Sequence, residues 1–239
     1  MDTETIELST PDGPMRAFRA TPDGPARGGI VVVQEAFGLN AHMEDVARRL
    51  ATNGYLAVAP ELFHRSEERG PFSYDDFAAV IPAMSALSDE MMLADVDAAL
   101  AHLAANGIGP HRSGIVGFCM GGRVSFLVAA RRTLGAAVGF YGGGIVTARF
   151  PQFPALVGEA TTLATPWLGL FGDRDGSIPV DDVEALRAAL VDAPVDTEIM
   201  RYADAEHGFF CDLRPAYVPD AADDAWTRTL TWFERLDPR

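Results

Sequence analysis

Five residues in the middle of the chain, Gly117-Phe118-Cys119-Met120-Gly121, put a cysteine between two glycines that each stand two residues away. A β-branched apolar run precedes them and a helical pattern follows. A backbone that turns from strand to helix in so few residues makes the positions two before and two after the apex collide. Very small residues at both positions remove the collision, and glycine meets that demand. The apex side chain then stands clear of the sheet with the positive end of the new helix behind it, which favours the thiolate, the reactive form of cysteine. This is a nucleophile elbow with sulfur in place of oxygen. A small cysteine buried in a glycine-rich turn reads the same over five residues, so the motif needs partners.

Two other segments can supply them. Ala203-Asp204-Ala205-Glu206-His207-Gly208-Phe209 follows a predicted strand and precedes the last predicted helix, where His207 can serve as a general base. Gly172-Asp173-Arg174-Asp175-Gly176-Ser177-Ile178-Pro179 follows another strand, and a carboxylate there can orient a histidine and stabilise its imidazolium. Asp173 and Asp175 compete for that role. Asp175 is preferred, because it lies farther past the strand and just before the Ile-Pro that opens the next segment. A loop histidine or an acidic turn says little alone; three separate positions in the order nucleophile 119, acid 175, base 207 say much more. A fourth segment, Gln34-Glu35-Ala36-Phe37-Gly38, follows a strand of valines. The backbone N–H groups of Ala36 and Met120 are the expected oxyanion donors. A carboxylate at Glu35 would oppose a developing negative charge unless it moves or holds a proton. Near Cys119 it could instead accept the thiol proton, and this active-site role is preferred over the alternative of a capping or surface glutamate.

The elements that must position these residues can be outlined from periodicity. Residues 3–9 and 15–20 alternate polar and apolar about Pro11-Asp12-Gly13-Pro14 and predict an antiparallel hairpin at a sheet edge. Strands are expected over 30–34, 55–59, 113–118, 136–141, 167–171 and 197–202. Helices are expected over 42–52 (capped by Asn40 and ended by Asn53-Gly54), 89–106, 120–132, 180–191 and 219–236. Residues 61–88 are irregular, with Gly70-Pro71 and Pro82 breaking weak helical patterns. Strand and helix alternate from residue 30 onward, which predicts an α/β protein with a mostly parallel central sheet and helices on both faces. In such sheets functional groups gather past the carboxyl ends of the strands. With the elbow and the order of acid and base, the expected architecture is the α/β-hydrolase fold, as one domain over 1–239, since no repeat or linker interrupts the pattern.

Composition narrows the partners. The chain has 34 acidic residues and 19 basic ones, all arginine, for a net charge of −15. That balance argues against nucleic acid or an anionic membrane as partner, and an anionic substrate would need a local cationic patch. The acidic, alternating start is unlike a secretion signal, and no run approaches a membrane span. Cys119 and Cys211 are the only cysteines and read as free thiols in a reducing cytoplasm. With no CxxC pair, no HExxH and scattered histidines, neither metal nor cofactor is expected. A monomer acting on a small molecule is the expectation.

The four segments together resemble the dienelactone hydrolase, or carboxymethylenebutenolidase, family. The matching stretches are Val33-Gln34-Glu35-Ala36-Phe37-Gly38, Gly117-Phe118-Cys119-Met120-Gly121-Gly122, Asp173-Arg174-Asp175 before Ile178-Pro179, and Glu206-His207-Gly208-Phe209. The resemblance implies an esterase that opens an ester or enol-lactone, with Cys119 as nucleophile, His207 as base, Asp175 as its orienter and Glu35 as a carboxylate that pairs with the resting thiol and swings away when substrate binds. It also implies Phe37 and Tyr141 as substrate contacts. The family holds a substrate carboxylate with arginines. At the matching positions this chain has Phe77, and Cys211 four residues after His207, with Ile81 where an aromatic is expected and Gly208 in place of a small hydroxyl residue. Arg65, Arg69 and Arg214 are the candidates to substitute. Two other readings stand beside this one: a non-catalytic ligand-binding protein on the same scaffold, and a thiol sensor using Cys119 and Cys211.

Overall fold

In the computed structural model, which describes residues 1–237, eight strands form one sheet in the order β1-β2-β4-β3-β5-β6-β7-β8. Pro238 and Arg239, the end of the expected 1–239 span, lie outside the described residues. The predicted hairpin is β1 (Asp2–Thr10) and β2 (Gly13–Thr21), paired antiparallel from Asp2↔Thr21 to Thr10↔Gly13. β3 (Gly28–Val33) is followed by helix α1 (Ala41–Thr52), whose N-cap Asn40 accepts a hydrogen bond from the Met43 amide at 3.1 Å. β4 (Tyr55–Pro60) pairs antiparallel with β2 and parallel with β3. Beyond β3 lie β5 (Ser113–Phe118), β6 (Ala136–Phe140), β7 (Trp167–Gly172) and β8 (Thr197–Tyr202), all parallel.

Every residue of β3, β4, β5, β6 and β7 is buried, as strands covered on both faces must be. Helix α3 (Asp89–Ala105) and the segment after α6 (Pro219–Phe233) lie on opposite faces. A Cβ on Gly29 would stand 2.7 Å from Leu103, and one on its neighbour Gly28 would stand 2.9 Å from Leu236. Successive strand positions face opposite sides, so helical segments cover both. α4 (Met120–Arg131) and α5 (Val180–Ala189) follow β5 and β7.

The chain leaves β3 towards β4 on one side and resumes at β5 on the other. The carboxyl ends of β3 and β5 therefore border the crevice that such a reversal opens. Above it runs the irregular segment 61–88, which contains only a 3₁₀ turn and the short helix α2 (Ile81–Ser85) with Pro82 in its first turn. Tertiary ties hold this segment in place of regular structure. His64 lies 3.1 Å from Asp95, Arg65 grips the same carboxylate with bonds of 2.7 and 2.8 Å, and the Phe72 amide donates to the Phe37 carbonyl at 2.9 Å. Among the described residues no helix is long and apolar enough to cross a membrane.

Candidate active site

β5 ends at Phe118 and α4 begins at Met120, leaving Cys119 alone at the apex with φ 54° and ψ −113°. Residues other than glycine rarely adopt that backbone, and it persists where surrounding bonds over-determine it. Here the Cys119 amide donates to Phe140 O at 3.0 Å, its carbonyl accepts from the Gly122 and Arg123 amides, and the Gly121 amide reaches Gln34 O at 3.2 Å. The glycines are obligatory. A Cβ on Gly117 would sit 1.8 Å from Gly121 O, and one on Gly121 would sit 2.3 Å from Val33 O.

Cys119 is partly exposed and faces a cavity of about 380 Å³ shared with Ala36, Met120, Ser177 and His207. His207, from the β8–α6 loop, has its Nδ1 2.7 Å from Asp175 Oδ2. The other oxygen, Oδ1, accepts from the Ser177 hydroxyl at 2.6 Å and from the Ser177 and Ile178 amides at 2.8 and 3.2 Å. Asp173 points elsewhere and is clamped by Arg201 at 2.7 and 2.9 Å. The two aspartates that compete in the sequence thus have separate partners, and Asp175 is the one beside histidine. Burial alone would raise the Asp175 carboxyl, but His207 and the Ser177 hydrogen bonds outweigh it and hold the group below its ordinary range. Burial likewise works against a charged His207. The neighbouring Cys119 sulfur and the Asp175 carboxylate overcome it and lift the imidazolium from 6.5 to about 10.

The loop after β3 brings Ala36 and Phe37 to the cavity wall. The amides of Ala36 and Met120 have no hydrogen-bond partner among the described residues. Glu35, on the same loop, is fully buried. The hydrogen-bond partner of its Oε1 is Arg214 Nη1 at 3.5 Å, not the thiol that the resemblance pairs it with, and its Oε2 has no partner among the described residues. Burial pushes this carboxyl up, against the pull of Arg214, His207 and the Tyr141 hydroxyl. Tyr141, expected as a substrate contact, is fully buried and does not line the cavity. Its amide extends β6 by donating to Leu170 O at 2.7 Å. Its ring is taken up by the aromatic cluster beneath the site, 5.5 Å from Phe209 and 5.0 Å from His207. Phe37 does line the cavity, beside Phe77, with ring centroids 6.3 Å apart.

The dienelactone hydrolase family profile matches residues 15–236. The chain belongs to the dienelactone hydrolase family. A relative from Escherichia coli K12, named "Putative carboxymethylenebutenolidase", is 42% identical over 228 residues, which cover 92% of this chain and 82% of the relative. A crystal structure from Klebsiella pneumoniae, described as a "Putative Dienelactone Hydrolase", superposes with a TM-score of 0.88 at 40% identity, covering 98% of this chain and 99% of the other. An acylaminoacyl peptidase shares the fold alone, with a TM-score of 0.75 at 16% identity over 42% of its length. The architecture is the α/β-hydrolase fold.

Within this dienelactone hydrolase family member the arginines are rearranged. Cys211 is buried, with its Sγ 3.4 Å from the Tyr74 hydroxyl. Arg214, three residues later, returns to the cavity, its guanidinium 5.5 Å from the Phe37 ring and 5.2 Å from Tyr74. Gly208 makes room: a Cβ there would stand 2.4 Å from Arg214 Nη1. Of the three arginines proposed from sequence, Arg214 is in the cavity, whereas Arg65 is tied to Asp95 and Arg69 lies outside the lining. Sequence reasoning missed Met84, Arg123, Arg149, Phe150 and Phe153, which also line it. They come from α2, the inner face of α4 and the β6–β7 segment, and no motif marks them.

Proposed function

We propose that this protein hydrolyses a carboxylic ester or enol-lactone through a thioacyl-enzyme on Cys119. One observation carries the reading: His207, bonded to Asp175 at 2.7 Å, opens on the same cavity as the strained Cys119 apex. In this scheme the Cys119 thiolate attacks the carbonyl carbon, and the amides of Ala36 and Met120 hold the oxyanion. The intermediate collapses, the C–O bond breaks, and the His207 imidazolium protonates the departing alkoxide.

Acylation then changes the base. A thioester sulfur carries no charge, so the strongest influence favouring imidazolium disappears and His207 can remain neutral. Neutral imidazole takes a proton from water, the hydroxide adds to the thioester, and the acid leaves with thiolate and imidazolium restored. Glu35 precedes Ala36 on the same loop, and burial pushes its carboxyl up, which lessens its opposition to the developing anion. Arg214, which lines the same cavity beside Phe37, is a candidate cation for an acid group of the substrate.

The purified protein should turn over phenyl acetate or an unsaturated γ-lactone; inactivity on a panel of both classes would contradict the reading. The pH profile is a further expectation. The imidazolium is lost only as pH rises through its lifted value, so log kcat/KM should hold through neutral pH and decline towards about 10. An alkaline limb near 6.5, the unperturbed value, would contradict the pairing of Cys119 with His207.

A further inference from the structure

The cavity has a feature that Cys119, His207 and Asp175 do not use. Three arginines line it and no carboxylate does, in a chain whose net charge is −15. Two of the three are engaged. Arg123 is 3% exposed, holds Asp89 with bonds of 2.6 and 3.0 Å, and donates to Pro154 O at 2.6 Å. Arg214 donates from Nη1 to Glu35 Oε1 at 3.5 Å. Arg149 is exposed and has neither a hydrogen-bond nor an ion-pair partner among the described residues.

Its surroundings are built around it. Arg149, Phe150 and Phe153 come from the same stretch between β6 and β7, where a β-bridge joins the two phenylalanines and their rings meet edge to face at 6.1 Å. Arg123 fixes that wall from behind through Pro154, with its guanidinium carbon 5.3 Å from the Phe153 ring. Arg149 lies across Gly143, where any Cβ would come within 2.9 Å of its Nη1. A cation without a counter-ion among the described residues, sharing one cavity with two aromatic rings and the apex thiol, has the chemistry to bind an aromatic acid: rings pack against rings, and a guanidinium fork matches a carboxylate.

We infer that Arg149 determines specificity by receiving a carboxylate on the aromatic arm of the substrate while Phe150 and Phe153 take the ring. The inference rests on the ester-hydrolase reading above. It puts the anion on the β6–β7 wall, away from the base loop that carries Arg214.

Two esters of equal size test it: 4-acetoxybenzoate, which is anionic, and 4-acetoxybenzamide, which is neutral. The wild-type protein should prefer the anion in kcat/KM by about tenfold, the effect of one partly solvated charge-assisted contact. In Arg149→Gln that ratio should fall to about one, through KM, and in Arg149→Glu below one. Arg69→Gln, which removes an exposed charge outside the cavity lining, controls for the overall field and should keep the wild-type ratio. An Arg149→Gln ratio equal to wild type, or a wild type without preference, overturns the inference. If neither ester is turned over, the hydrolase reading fails separately, and calorimetry with 4-hydroxybenzoate decides the subsite by itself. Binding about tenfold weaker in Arg149→Gln supports it; equal binding, or none to wild type, overturns it.

Discussion

Cys119→Ala should keep the fold and lose the chemistry, with kcat/KM for phenyl acetate falling at least about a thousandfold. The oxyanion amides, the cavity and His207 all survive that change, but no group remains to form the acyl intermediate. Alanine meets the positive φ of 54° with the same steric cost as cysteine, so thermal unfolding should stay within a few degrees of wild type. Loss of activity together with loss of fold would not count as support; near-wild-type turnover in a folded variant would remove sulfur from the mechanism. Cys119→Ser is the informative companion. Its hydroxyl is a poorer nucleophile next to an imidazole tuned for a thiolate, so it should recover only a small fraction of the rate.

Asp175→Asn should cost about a hundredfold or more in kcat with little change in KM. The asparagine Oδ1 can still accept from Ser177 and Ile178, which keeps the loop in place. What changes is the atom 2.7 Å from His207 Nδ1. An amide nitrogen there favours the wrong tautomer and offers no charge to the imidazolium. In serine hydrolases the corresponding change costs about ten-thousandfold; a thiol is intrinsically the stronger nucleophile, which lessens its dependence on the base. The pH readout separates this role from a structural one. Asp175 is one of the groups that lift His207, so its neutralisation should move the alkaline limb of the profile to lower pH. A rate loss with an unmoved limb would assign Asp175 to loop architecture alone.

Much of this site is legible in the residues because the constraints are local. The elbow is a steric statement about Gly117 and Gly121, and the clashes of 1.8 and 2.3 Å that any Cβ would make are that statement in coordinates. The strands at 113–118 and 197–202 coincide with their predicted bounds, since uninterrupted apolar or alternating runs leave little choice. Helix ends at Asn40 and Asn53 follow from capping chemistry. Long-range packing hides the rest. Nothing in 61–88 reveals that His64 and Arg65 would both anchor on Asp95. The partner of Glu35 depends on Arg214 passing over Gly208, which is 179 residues of chain separation from Glu35 to Arg214 closed by one missing side chain. Tyr141 stands one residue past a strand end, and only the aromatic cluster below it decides which way its ring goes. Arg149 and its phenylalanines belong to a segment without periodicity, so their direction comes from Arg123 behind them.

Sulfur at position 119 should become covalently acylated, and His207 should release it. Mixing the protein with excess phenyl acetate, quenching in acid within the first turnovers and mapping peptides by mass tests this directly. One acetyl group should appear on the peptide containing Cys119 and none on Cys211, and that adduct should accumulate when His207 is replaced by alanine. Turnover without any adduct on Cys119, or an acetyl group carried by another side chain, would contradict this mechanism.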